Sequence, residues 1–267
     1  IIRWAPMRSG NYTVTVKATD EEQAEDELSG GNVSVSLHAS TPAEDFTYII
    51  LNGTYCEISG YTGSETVLVL PDQDPSGHIV QKISNNAFKN KQSLVSIVLP
   101  GSTESIGGSA FYGCTSLISV SLPEGLEIIY GYAFRDCTSL ESIHLPDSIT
   151  RMDADAFQGC SKLTTVNYPA SWTTKSYTSD HLRNGNDSPF YNCAKLISIV
   201  IPEGVTTIGV DAFMSSSLTS IAIPDSVTLI EGEAFLNCRN LTSITIPASV
   251  ARIEDANAFI GCSSLTG

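Results

Sequence analysis

Apolar residues recur along most of this chain at one fixed set of offsets. Starting from Phe134, they fall at Cys137, Leu140, Ile143, Leu145, Ile149 and Met152, and Ala156-Phe157 then begins the pattern again. The Phe series is Phe88, Phe111, Phe134, Phe157, Phe190, Phe213, Phe235 and Phe259, with steps of 23, 23, 23, 33, 23, 22 and 24 residues. The Pro series Pro100, Pro123, Pro146, Pro169, Pro202, Pro224 and Pro247 steps by 23, 23, 23, 33, 22 and 23. Two independent markers that share one period and one exceptional step identify an internal repeat.

Each column of the repeat has a physical reading. Residues two apart in a strand share a face, so the pairs Ile143 and Leu145, or Ile244 and Ile246, predict a short strand with both side chains inward. Pro ends that strand because it has no amide to donate to a ladder. A turn follows, such as Glu124-Gly125 or Asp147-Ser148, and pairs such as Val205 and Ile208 bring the chain back along the other side. The Ala-Phe pair is expected on a single helical turn, with Phe plugging the core between coils. One such unit cannot bury its own apolar face. Stacked units bury a continuous core and join their strands into a parallel sheet. At ~4.8 Å per strand, eight or so coils make a rod about 40 Å long. Departures are local: a ten-residue insertion within residues 170–189, one deletion between Phe213 and Leu218 with loss of the Cys, and a polar Thr103 in an apolar column.

The ends read differently. Residues 46–71 imitate a first coil, with Leu68, Leu70 and Pro71 as its strand ending. In residues 1–45, "NYTVTVKA" and "NVSVSLHA" alternate and predict two strands, belonging to an N-terminal cap or to the tail of a preceding β-sandwich domain. The domain expectation is therefore a β-rich segment 1–45 and a solenoid 46–267 of eight to nine coils. The closing "CSSLTG" stops within a repeat, so the solenoid is expected to be truncated there.

Repeats such as "AFYGCTSLISVSLPEGLEII", with the leading "GTYCEISGYTGSETVLVLP", resemble the BspA-like class of leucine-rich repeats over about residues 46–267. The resemblance implies an α/β-type repeat solenoid: a right-handed superhelix with a parallel β-sheet on its concave face and short strands and helical turns elsewhere. It also implies a secreted or surface-attached protein, commonly bacterial, in a family associated with adhesion to host proteins and to other cells. No catalytic motif of the family exists to carry over.

Composition narrows the function. The formal charge is -15, from 14 Lys plus Arg against 29 Asp plus Glu, which repels phosphates and argues against a nucleic-acid partner. No run approaches ~18 apolar residues, so no membrane insertion is expected from this segment.

The chemistry-bearing residues are few. Cys114, Cys137, Cys160, Cys193, Cys238 and Cys262 share one repeat column, and Cys56 lies in the first coil. Neighbouring coils bring such a column within disulfide range. Parallel, inward side chains instead favour buried free thiols packing as small hydrophobes, and Lys91 in the same column argues against a metal site. His38, His78, His144 and His181 are scattered, and no HExxH, CxxC, P-loop or GxSxG motif occurs. No cofactor, metal site or catalytic group is expected.

The outward strand positions are the candidate contacts. One column is Ser96, Ser119, Ser142, Thr165, Ser198, Ser220 and Ser243, and the other is Val98, Ser121, His144, Asn167, Val200, Ala222 and Thr245. Small hydroxyls suit a tightly curved inner surface. Equally, a nearly uncharged strip on an acidic protein suits a contact platform. The insertion adds Trp172, Tyr177 and His181, since long loops often carry function. Candidate partner-binding residues are therefore Ser119, Ser121, Ser142, His144, Thr165, Asn167, Trp172 and Tyr177. The expected function is non-catalytic binding of an extracellular or host protein at the cell surface. A carbohydrate-binding module or a passive spacer is the alternative.

Overall fold

The computed structural model describes residues 40–172, 188–254 and 257–266. Residues Thr41–Gly267 form one compact unit, a parallel-strand solenoid of about eight turns. The two strands expected within residues 1–39, and the expectation for 173–187, lie outside the described residues.

Among the described residues the coils contribute strands to two faces rather than one. The front sheet takes the strand that precedes each Pro: Val67–Val69, Ser96–Val98 and Ser119–Ser121 pair in parallel. Ser142–Ile143 pairs with Thr165–Val166, single bridges link Asn167 to Val200 and Val200 to Ala222, and Ser220–Ala222 pairs with Ser243–Thr245. The back sheet takes the return segments Tyr55–Tyr61, Ile79–Ile83, Ser105–Ile106, Ile128–Ile129 and Arg151–Met152, and then Thr207–Ile208, Leu229–Ile230 and Arg252–Ile253. The second sheet follows from the need to satisfy buried backbone amides. A return segment has no neighbour in its own coil, so its N–H groups bond the coil below.

The Ala-Phe segment is not helical. Among the described residues the one helical element is a 3-10 turn at Ala43–Asp45. Most Phe amides instead donate to the next coil, as Phe111 N–H does to the Ala133 carbonyl at 2.7 Å and Phe134 N–H to Ala156 at 2.7 Å, while Phe190 N–H donates to the Ser188 hydroxyl at 3.2 Å. In most coils two residues also adopt positive φ, for example Tyr132 at 61° and Asp136 at 58°. A left-handed residue every few positions cannot continue a right-handed helix. The sequence signal for one of these sites is plain in retrospect. The position before the Cys column reads Asn90, Gly113, Asp136, Gly159, Asn192, Ser215, Asn237 and Gly261, residues that tolerate this conformation.

The core is a ladder of phenyl rings. Phe88, Phe111, Phe134 and Phe157 stack at 5.1 Å between centroids with planes within 8°. Offset stacking of this kind adds ~0.5–1.5 kcal/mol per pair beyond burial. Ala on the preceding position is fully buried in most coils, leaving room for the neighbouring ring.

The N-terminal end is closed by the solenoid's own residues. Residues 46–71 are not a plain first coil, because Phe46–Ile50 runs antiparallel to Tyr55–Tyr61 and covers the back-sheet edge. Thr41 covers the front edge: its N–H donates to the Val69 carbonyl at 2.8 Å, and its hydroxyl accepts from Val69 N–H at 3.2 Å. Phe46 and Tyr61 each lie 6.5 Å from Phe88 and close the ring ladder.

Candidate functional site

The front sheet places the two outward columns as the repeat predicts. Parallel pairing sets Ser96 beside Ser119 and Val98 beside Ser121, Thr165 beside Ser142, and Ser220 beside Ser243. Ser119, Ser121, Ser142, His144 and Thr165 are all exposed. The hydroxyls of the Ser column make no hydrogen bond to any described residue. The three hydroxyls of the column one residue earlier, which otherwise holds Val95, Ile118, Glu141 and Ile197, behave oppositely. Thr164, Thr219 and Thr242 each donate to the carbonyl of the preceding coil at 3.0–3.2 Å. Two adjacent hydroxyl rows thus differ in kind, one spent on the fold and one left open.

Apolar side chains stand among the open hydroxyls. Val200 is 77% exposed, Ile197 52%, Ile118 45% and Val98 41%. Scattered singly these would need no explanation. Val98 and Val200 stand in the variable column of the front strands, Ile118 and Ile197 directly precede the Ser column, and Val200 is bridged directly to Asn167 and Ala222.

Charge is concentrated at the rims, with exposed Glu141, directly before Ser142, as an acidic exception near the basic edge. Exposed Glu124, Asp147, Glu203 and Asp225 follow the prolines at the strands' C-terminal ends. Exposed Lys162, Lys195 and Arg239 lie in the turns before the strands, at the opposite edge. A partner lying across the sheet meets an uncharged strip between an acidic and a basic border.

Three of the candidate residues need separate treatment. Asn167 is half-buried and engaged. Its Oδ1 accepts from Leu145 N–H at 2.7 Å and its Nδ2 donates to the Leu145 carbonyl at 2.7 Å. In other coils a backbone carbonyl takes this bond, as Ser121 does from Leu99 N–H at 3.1 Å. The Asn167 amide therefore replaces a stretch of ladder where the insertion begins. Trp172 is only 1% exposed, so it is no surface platform. Its ring lies 4.8 Å from Tyr168 and 6.4 Å from Phe190, and Tyr168 lies 6.0 Å from Phe213. The two large rings carry the aromatic ladder from Phe190 to Phe213, and Tyr168 does so from a column that elsewhere holds Leu or Ile. Tyr177 lies outside the described residues.

The cysteine column is neither oxidised nor arranged for chemistry. All seven cysteines are free. Each repeat thiol donates to the carbonyl of the Phe one coil back: Cys114 to Phe88 at 3.1 Å, Cys137 to Phe111 at 3.2 Å, Cys160 to Phe134 at 3.2 Å, Cys193 to Phe157 at 3.1 Å. Burial raises these thiols, to about 12 for Cys114 and Cys193 and about 11 for Cys238, and well above the ordinary value for Cys137 and Cys160. That is the opposite of an activated nucleophile.

One acid-imidazole pair lies near a thiol. Asp74 Oδ2 is 2.8 Å from His78 Nδ1, and Cys56 Sγ donates to the His78 carbonyl at 3.4 Å. Against the cost of its burial, hydrogen bonds from His78 and Ser76 hold Asp74 below the usual carboxylate range. The Cys56 thiol is fully buried, and burial first, then the Asp74 charge, raise it. It faces a carbonyl rather than the imidazole ring, so this is a fold-stabilising loop. Among the described residues no group of three His, Cys, Asp or Glu side chains could hold a metal ion, and no helix is long and apolar enough to cross a membrane.

The BspA type leucine-rich-repeat region model matches residues 81–179 and 183–267 in six copies. The fold is similar to a leucine-rich-repeat protein of T. pallidum, at 29% identity over 85% of this chain and 91% of that one, with a TM-score of 0.58. A leucine-rich-repeat protein of Eubacterium ventriosum is similar at 19% identity over 78% of this chain and 61% of that one, with a TM-score of 0.52. Comparison with curated proteins gave no match.

Proposed function

This chain belongs to the BspA-type leucine-rich-repeat family, and on that premise we propose that it is a non-catalytic binding protein of the cell surface whose front sheet takes up an extracellular protein. The observation that carries this reading is the open strip itself. A chain of net charge -15 keeps one sheet face nearly free of charge, with unengaged hydroxyls and Val200 standing 77% exposed. Protein interfaces have this anatomy, an apolar centre depleted in charge inside a polar rim. The opposed rims would fix the orientation of a partner more than its affinity. A sugar-binding platform would want exposed aromatic rings, and the front columns carry none.

The test is capture of extracellular-matrix proteins by the full chain, run in parallel with a glycan array. Val200→Glu and His144→Glu are compared with the unaltered chain, since both positions are exposed and neither side chain hydrogen-bonds a described residue. The expected result is binding of a protein ligand that falls at least tenfold in these variants, with melting curves unchanged. Glycan hits alone, or protein binding indifferent to both variants, would refute the assignment.

A further inference from the structure

The turn edge in the N-terminal half of the solenoid carries a second, different surface. Lys89, Tyr112 and Arg135 each directly follow the ladder Phe of successive coils. Lys89 Nζ lies 5.2 Å from the Tyr112 ring centroid, and Arg135 Cζ lies 5.7 Å from that ring and 5.2 Å from the Tyr132 ring. Nearby, Lys91 lies over Tyr61 and Arg151 over Tyr130. Four of the nine cations among the described residues are thus held over tyrosines, Lys89, Lys91 and Arg135 in the turns that follow the ladder Phe and Arg151 on a back-sheet strand beside Asp153. On a chain of net charge -15 that concentration is local and specific. Tyr and Arg are also the side chains that most often carry binding energy at interfaces.

Tyr132 adds an independent observation. It is 37% exposed and sits at φ 61°. The equivalent position in other coils holds Asn86, Ser109, Asp155, Asp211 and Glu233, all at positive φ. All five are polar, four of them are short residues that suit the left-handed region, and Tyr132 alone is aromatic. The fold alone would favour Asn, Asp or Ser at this position. An exposed aromatic held against backbone preference points to a role outside the fold.

We infer that this edge is a docking surface for an extended, acidic, proline-containing peptide, with Lys89 and Arg135 taking carboxylates and Tyr112 and Tyr132 packing against the chain between them. The spacing supports this occupant. Two coil steps of 5.1 Å set the two cation positions ~10 Å apart. In a polyproline II chain, residues three apart share a face and are separated by ~9 Å. In a β-strand, same-face residues recur at ~7 Å and ~13 Å, and neither matches. Aromatic surfaces are the usual partners of polyproline II peptides because the ligand is already ordered. Cations already held over rings lose less freedom on binding. The Arg135 guanidinium, 3.6 Å from Asp136 through Nε, retains its outer nitrogens for a carboxylate.

The experiment uses the full chain and a fluorescently labelled Glu-Pro-Pro-Glu-Pro-Pro-Glu peptide, read by anisotropy. Controls are a peptide of the same composition with its three Glu residues adjacent and a heparin oligosaccharide. The spaced peptide is expected to bind at least fivefold more tightly than the adjacent one. Arg135→Gln and Tyr132→Asn are each expected to weaken it at least fivefold, while Val200→Glu on the front sheet leaves it unchanged. Tyr132→Asn should melt at or above the unaltered temperature, because Asn suits that φ, so lost binding is not lost folding. No peptide binding, equal affinity for the two peptides, binding of heparin only, or indifference to both edge variants would overturn the assignment.

Discussion

Raising the pH should unfold this solenoid steeply, and the cysteine column is the reason. Cys114, Cys137, Cys160, Cys193 and Cys238 are fully buried, each with its proton on a Phe carbonyl of the coil before. Desolvation raises every one of them in the folded state, to about 11 for Cys238 and about 12 for Cys114 and Cys193. In the unfolded chain a thiol ionises near its ordinary value of 9.0. Below pH 9 both states hold the proton and the column's contribution is intact. Above pH 9 the unfolded chain releases protons that the folded one keeps, so stability falls toward the folded values. Cys114, Cys193 and Cys238 then each cost about 0.8 kcal/mol at pH 9.5 and about 2 kcal/mol at pH 10.5. These three together cost about 2.5 and about 6 kcal/mol, comparable with the whole stability of a domain, and Cys137 and Cys160 add in the same direction. Urea midpoints followed by circular dichroism between pH 7 and 10.5 measure this loss. Tyrosine and lysine ionisation also act in that range, so Cys114→Ala with Cys193→Ala serves as the reference. The double variant should be less stable at pH 7, and by pH 10.5 its deficit relative to the unaltered chain should shrink by about 4 kcal/mol. A deficit that stays constant across the range would refute the buried, proton-donating column.

Two substitutions test the packing directly. Thr103 is fully buried in a column otherwise apolar, and its Oγ1 has no hydrogen-bond partner, so Thr103→Val should raise stability by about 1–2 kcal/mol in equilibrium denaturation. Unchanged or lower stability would mean that the hydroxyl is satisfied. A methyl group at Gly107 would lie 2.5 Å from Asn85 N and 2.7 Å from the Ser84 carbonyl carbon, so Gly107→Ala must push two coils apart and should cost about 2–3 kcal/mol by the same assay. A neutral result would show that the coils are less tightly apposed than the structure indicates.

Much of the fold was legible because it repeats. A column seen eight times averages out local preference, so Phe88 through Phe259 and the inward strand pairs could be assigned from spacing alone. The back sheet was not legible, because a two-residue strand such as Ile128–Ile129 contains too little alternation to distinguish it from a loop. The helical turn expected at Ala-Phe failed because the Phe amide bonds a neighbouring coil, a long-range partner that local propensity does not report. The fate of Trp172 was hidden for the opposite reason. The insertion has no columns, and an aromatic in a unique segment reads as exposed function until its neighbours are known. The enlarged Tyr168 in a Leu or Ile column was the available signal that the core had changed there.

Exposure on the front sheet does not by itself mark a position as free to bind. Asn167 occupies an outward column, yet both ends of its amide are committed to Leu145. The Thr164, Thr219 and Thr242 column is likewise occupied in bonding its own coils. Removing these groups from the contact strip leaves the Ser column and the variable column around Val200. The Ser column is nearly constant but forms no bond within the fold among the described residues, so hydrogen bonding does not explain its constancy. Either space on a curved face or a repeating contact with a partner must do so. The variable column is under neither constraint: Val98, Ser121, His144, Val200, Ala222 and Thr245 differ in size, charge capacity and polarity on an otherwise uniform scaffold. Specificity on a stacked fold has to reside where stacking imposes least, and on this sheet that is the column through His144 and Val200.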